Sequence, residues 1–188
     1  MKKIILLSMM LSSCGCHTLG DWLVEYQTPD NGNYYYKDIP SNPELIAYAK
    51  DYPGYNGIKI VFDDKLREKH DKQPNKFIGT CFSYYDGHRE IGIYSSWWEE
   101  EREQRRKLLI WHELGHCVDN LKHDDSTTFV TITEPGSPNT IKIAYYNSIM
   151  STYIWPWFDI ATICQQNPNI DKITQIFCQS IESLNDEK

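Results

Sequence analysis

His112-Glu113-Leu114-Gly115-His116 sets two imidazoles and a carboxylate at spacings that suit one metal ion. On a helix, residues four apart stand nearly above one another, about 6 Å along the axis. Both imidazoles then reach a single zinc ion, and Glu113 sits beside the ion's open position as a general base. A catalytic zinc site typically takes three protein ligands, so a third must come from elsewhere in the chain. Asp119 lies about 10 Å along the same axis from His112 and does not converge on the metal. Asn120 tolerates a left-handed backbone and can end the helix, turning the chain back so that His123 becomes the candidate third ligand. Asp124 and Asp125 are its nearest rivals. A carboxylate is also a candidate acceptor for an imidazole N–H, fixing the tautomer.

The element that must carry these groups is a long helix. Ser96-Trp97-Trp98-Glu99 has capping-box spacing, which predicts a helix starting at Trp97 with Glu99, Glu100 and Glu101 in its first turn. Arg102, Arg105, Arg106 and Lys107 follow as a solvated face. Leu108, Leu109, Trp111, Leu114, Cys117, Val118 and Leu121 then make the segment apolar, as expected of a helix running into a core.

With these residues in place, the chain resembles the metzincin clan of zinc peptidases, whose signature is H-E-x-x-H-x-x-G-x-x-H followed by a methionine turn. Here His123 comes one residue late and Asp119 stands in the place of the family's glycine. Ser148-Ile149-Met150-Ser151 looks like the methionine turn, which implies that Met150 forms the apolar floor beneath the metal. The family's tyrosine sits two residues after that methionine; here Thr152 is there and Tyr153 follows, the candidate for a further oxyanion contact. The spacing and turn are most similar to a group of bacterial metallopeptidase lipoproteins. The resemblance covers roughly Gly79 to Tyr153. It implies an α+β, zincin-like fold in which a small mixed sheet packs on the active-site helix, ahead of a helical C-terminal region. It also implies that one sheet strand lines the cleft, where an extended peptide adds as another strand.

The N-terminus points to where this chemistry takes place. Lys2-Lys3 precedes an apolar run from Ile4 to Leu11 that is too short to span a bilayer as a mature helix. Leu11-Ser12-Ser13-Cys14 resembles the bacterial lipobox, in which the cysteine is fatty-acylated after cleavage before it. The expectation is a signal peptide over 1–13, a lipid-anchored tether over 14–43 and one metallopeptidase domain over 44–188. Gly15 after the lipidated cysteine favours the outer membrane of an exported envelope protein. Removing residues 1–13 takes the formal charge from −7 to −9, which disfavours nucleic acid and leaves the lipid as the sole membrane contact.

Export permits disulfides. Cys164 and Cys178 lie on two predicted helical segments around Asn167-Pro168-Asn169, which an antiparallel arrangement would allow to bridge, while Cys117 is read as core packing or as a partner for Cys81. Glu44 to Asp51 reads as a short helix and Ile58 to Phe62 as a strand. Phe77 to Tyr85 and His88 to Tyr94 form a hairpin about Asp86-Gly87. Thr128 to Thr133 and Thr140 to Tyr145 form a second hairpin between the third ligand and the methionine turn, and are expected to wall the site. Trp155, Trp157 and Phe158 open the helical region as core.

The function this reading favours is a zinc-dependent endopeptidase acting on a peptide or protein substrate. Two alternatives stay open. One is a zincin whose third ligand is a later glutamate, for which Glu134 is the downstream candidate, although Pro135-Gly136 place it in a loop or strand. The other is a non-catalytic zinc-containing lipoprotein that binds a partner. The anchoring assignment is directly testable: Cys14→Ala abolishes metabolic labelling with a fatty-acid analogue and leaves the precursor uncleaved, whereas labelling that persists through Cys16 overturns it.

Overall fold

The computed structural model describes residues 26–27, 34–64, 78–133, 140–152, 154–155 and 157–185. Its first sheet has four strands: β1 (Tyr26–Gln27), β2 (Lys59–Phe62), β3 (Gly79–Tyr84) and β4 (Arg89–Ile93), in the order β1-β3-β4-β2. β3 and β4 are antiparallel, whereas β1 runs parallel to β3 and β2 parallel to β4, so the sheet is mixed as expected. The β3–β4 turn is the Asp86-Gly87 turn: Gly87 takes φ 87°, its N–H donates to the Tyr84 carbonyl, and Asp86 accepts from the His88 N–H.

Helix α1 (Pro43–Ala49) precedes β2 and begins where its sequence dictates. The Asn42 side chain accepts from the N–H groups of Glu44 and Leu45, and Pro43 opens the first turn. After β4 come α2 (Ser95–Glu100) and the long α3 (Glu103–Asp119). The ribbon β5 (Thr127–Thr133) and β6 (Thr140–Tyr146) follows as a separate two-stranded sheet, then α4 (Trp157–Gln166) and α5 (Lys172–Asn185). The described residues thus form a mixed α+β fold with two small sheets and five helices, ending in a helical region.

The main core lies where α3 crosses the first sheet. Alternation along β4 sends Ile91 and Ile93 toward α3, where they meet Ile60, Leu108, Leu109, Trp111 and Leu114, all essentially inaccessible to solvent. Trp155, Ile160, Ile163 and Phe177 close the same core from the C-terminal helices, with Phe177 edge-on to Trp111 at 5.6 Å. Trp155 is therefore core, as expected; the side chains of Trp157 and Phe158 lie outside the described residues. Two disulfides staple this arrangement. Cys81–Cys117 ties β3 to α3, and Cys164–Cys178 ties α4 to α5, settling both open cysteine assignments.

Two sequence expectations need correction. The helix predicted to start at Trp97 is two helices, separated by extended backbone at Glu101 and Arg102, and Ser96 makes no capping bond. The break is a tertiary effect. Trp98 buries its ring beside α1, with its indole N–H donating to Glu44, and Arg106 reaches back to the Trp98 and Glu99 carbonyls that a continuing helix would have used. Glu99 to Glu101 therefore close α2 or lie in the break, and Glu103 alone is the acid in the first turn of α3.

The second correction concerns the expected tether over 14–43. Tyr26–Gln27 pairs with Ser83–Tyr84, and Tyr36 is buried against the face of the sheet opposite α3, packed with Val61, Phe82 and Tyr84. Its hydroxyl donates to Asp63 at 2.6 Å and its N–H to Glu90 at 3.0 Å. A Cβ on Gly92 would come within 2.0 Å of that hydroxyl, so the glycine is what admits the tyrosine. The folded unit thus starts before Glu44; polar anchoring of this kind has no hydrophobic period to announce it.

Ile91→Ala removes a fully buried side chain from the sheet–helix contact. It is expected to cost about 2–5 kcal/mol, read as a lower urea midpoint with an unchanged denaturant slope.

Candidate metal centre

α3 carries His112, Glu113 and His116 on its buried stretch, so the side chains are fixed by packing. The helix ends at Asn120, which adopts φ 56°, ψ 32°, and the Leu121 N–H then bonds back to the Gly115 carbonyl at 3.0 Å. This is the six-to-one closure of a left-handed helix stop, and it reverses the chain as the sequence predicts. His123 consequently returns to the helix. The three Nε2 atoms form a triangle with edges of 3.1 Å (His112–His116), 3.2 Å (His116–His123) and 3.3 Å (His123–His112).

Tautomers decide what that triangle means. His112 Nδ1 lies 2.8 Å from the Ile149 carbonyl and His116 Nδ1 lies 2.7 Å from the Leu121 carbonyl. A carbonyl only accepts, so each Nδ1 carries the proton and each Nε2 presents a bare lone pair. Burial drives the His112 pKa well below its ordinary value, pushes His116 down to about 4 and lowers His123, so all three rings are neutral at pH 7. The bare lone pairs of His112 and His116 face each other at 3.1 Å, a contact that repels unless a cation, or a proton on His123 Nε2, lies between them. Tetrahedral zinc with Zn–N bonds of about 2.05 Å needs nitrogens about 3.3 Å apart, which the triangle matches. The donor set thus fits a metal ion. A carboxylate was one candidate acceptor for an imidazole N–H; at His112 and His116 backbone carbonyls take that place.

Glu113 is 5 % exposed, and burial alone pushes its carboxyl up to about 8. It packs directly on β3: a Cβ at Gly79 would fall 2.5 Å from its Oε1. Met150 is buried in the turn that follows β6, where the Ser148 hydroxyl accepts the Met150 N–H at 2.9 Å. A Cβ at Gly115 would fall 2.4 Å from the Met150 sulfur, so Gly115 lets the turn lie against the helix between the two ligands. The same turn supplies the Ile149 carbonyl to His112. Neither glycine was singled out by sequence reasoning. The signal available for Gly79 was a glycine within a strand pattern, which marks close backbone approach.

The rival ligands go elsewhere. Asp119 accepts from the Tyr52 hydroxyl at 2.6 Å, Asp124 from the Ser126 N–H at 2.9 Å, and Asp125 from Thr152. Among the described residues, His112, His116 and His123 are the group that can hold a metal ion. Tyr153, Glu134 and Cys14 lie outside the described residues. The ribbon β5–β6 leaves from the loop after His123 and returns into the methionine turn, joined at its base by the Asn147 N–H and the Ser126 carbonyl. Comparison of the chain with protein-family models, with curated proteins and with solved structures finds no match.

Two outcomes follow from this geometry. If the three histidines hold a metal ion, His123→Ala is expected to weaken its binding severely and Asp119→Ala to leave it intact; the reverse result, read by metal analysis of the purified proteins, overturns the ligand set. The second concerns pH. Unfolded histidines take up protons below about 6.5 while the buried ones resist, so the unfolded state binds more protons and metal-free stability falls as pH drops from 6.5 toward 4. His116 alone contributes about 3 kcal/mol across that window, at roughly 1.4 kcal/mol per pH unit. Glu113 acts oppositely, its raised pKa costing stability as pH rises from 4.5 to about 8. Urea midpoints in chelator, taken at pH 6.5 and 4.5 in a Glu113→Gln background, isolate the histidine effect.

Proposed function

We propose that this chain is a zinc-dependent endopeptidase of the metzincin type, with zinc held by His112, His116 and His123 and with Glu113 as the general base. The observation that carries the reading is the convergence of three imidazole Nε2 atoms with a buried carboxyl on the same helix. A purely structural site has no use for an added base. Bound zinc supplies Lewis acidity, polarising a scissile carbonyl and acidifying a water. Glu113 takes the proton from the attacking water and passes it to the leaving amine nitrogen. A bound cation would oppose the burial that raises the Glu113 pKa and so favour the ionised base.

The edge of β3 supports a peptide substrate. Ile78 and Tyr84 hydrogen-bond toward β4, so alternation turns the peptide groups of Gly79 and Cys81 to the other side. β1 covers that side only at Ser83 and Tyr84; among the described residues no strand covers Gly79 to Phe82. An extended peptide adding there runs past Glu113, which lies against Gly79. We place the enzyme in the bacterial envelope, anchored through Cys14. Two disulfides in the fold suit an oxidising compartment, and among the described residues no helix is long and apolar enough to cross a membrane.

Glu113→Gln separates catalysis from metal binding. It is expected to retain the fold and most of the zinc while cleavage of a broad peptide library falls by about 10²–10⁴-fold. Equal cleavage by both proteins sinks the mechanism. A wild type that holds zinc and cuts nothing supports the partner-binding lipoprotein instead.

A further inference from the structure

We propose that Asp125 is a positioning residue for the third metal ligand: clamped on Thr152, its carboxylate holds the loop that carries His123 to the turn that carries Met150. The inference rests on the metal-centre reading above and goes on to say what makes that centre complete.

The three ligands are not held alike. His112 and His116 stand on a buried helix, and each ring is oriented a second time by a carbonyl on its Nδ1. His123 has neither support. Residues 120–126 form no regular element, and among the described residues no hydrogen bond reaches His123 Nδ1. The position of His123 therefore depends on where its loop is pinned. Main-chain bonds supply part of the answer: Leu121 N–H to Gly115, Asp124 N–H to Met150 at 2.9 Å, and Asn147 N–H to Ser126 at 2.9 Å.

Asp125 adds a side-chain clamp two residues from the ligand. Its Oδ1 accepts the Thr152 N–H at 2.7 Å and its Oδ2 accepts the Thr152 hydroxyl at 2.7 Å. Two short bonds from one residue to both oxygens of a carboxylate fix its orientation as well as its distance. The partner's position is informative too. Thr152 lies two residues after Met150, where the metzincin resemblance leads one to expect a tyrosine. In this chain the residue at that place is a threonine, and its hydroxyl donates to the loop that carries His123. The turn under the helix and the loop of the third ligand are thereby joined from both ends, by Asp124 to Met150 and by Asp125 to Thr152.

The test uses the full chain and four variants: Asp125→Ala, Asp125→Asn, Thr152→Val and the Asp125→Ala/Thr152→Val double. For each, the zinc dissociation constant is measured by chelator competition. The visible spectrum of the Co²⁺-loaded protein and the urea midpoint of the metal-free protein are recorded alongside. Asp125→Ala is expected to weaken zinc about 10–100-fold, the range typical for groups that orient a ligand, and to shift the Co²⁺ bands. Asp125→Asn keeps an acceptor for the Thr152 N–H and loses less. Thr152→Val loses one of the two bonds, weakens zinc by a smaller factor than Asp125→Ala, and carries the test should Asp125→Ala not fold. The double variant is no worse than Asp125→Ala alone, because both changes break one contact. Zinc affinity within twofold of wild type and an unchanged Co²⁺ spectrum in Asp125→Ala overturn the proposal, as does a lowered urea midpoint without either change. Failure of the wild type to bind zinc or Co²⁺ overturns the metal centre itself, a result distinct from both.

Discussion

Three neutral imidazoles turn their Nε2 atoms to one point, and much of the fold serves to hold them there. The Nε2 atoms stand 3.1 to 3.3 Å apart, and at His112 and His116 the protons fixed on Nδ1 leave two facing lone pairs that repel one another. Such an arrangement persists only where the surrounding structure over-determines it. Burial keeps the rings from relieving the conflict by protonation, since it penalises the charged form. A cation relieves it. The metal-binding potential of the site is thus a property of packing and tautomer as much as of ligand identity.

The surrounding structure provides this restraint through close approach. Glycine occurs where the site admits no Cβ: Gly79 brings β3 onto Glu113, and Gly115 brings the methionine turn onto α3. The Cys81–Cys117 disulfide joins the same strand and helix one residue beyond His116. Strand, helix and turn are therefore one rigid unit around the site, and the carboxyl between them is shielded from water on the strand side. The loop of His123 is the least supported part, which is why the bonds of Asp124 and Asp125 across to Met150 and Thr152 carry weight.

The other face of the sheet is organised by polar groups. Lys59 donates to the Tyr36 and Lys37 carbonyls, Glu90 accepts from Tyr36 and Tyr84, and Asp63 accepts from the Tyr36 hydroxyl. Glu90 takes both of its bonds on Oε2, and its buried Oε1 lies 3.3 Å from His88 Nε2. This network fastens Tyr36 and Lys37, ahead of α1, onto the sheet whose other face carries the site.

Local signals in the chain were enough for the helical pair of histidines, the left-handed stop at Asn120, the return of His123 and the Asp86-Gly87 hairpin. Each depends on a spacing or a backbone preference confined to a few residues. The pairing of Cys81 with Cys117 was one of two readings the sequence left open, because no local rule relates positions 36 apart. Tertiary structure alone decided the break between α2 and α3, where burial of Trp98 and the reach of Arg106 outweigh a run of good helix formers. It also decided that Tyr36 belongs to the fold, that carbonyls rather than carboxylates orient two of the ligands, and that Asp125 grips Thr152. These are contacts between side chains and backbone groups distant in sequence; a periodic pattern records which face of an element is buried, not which atom it meets there.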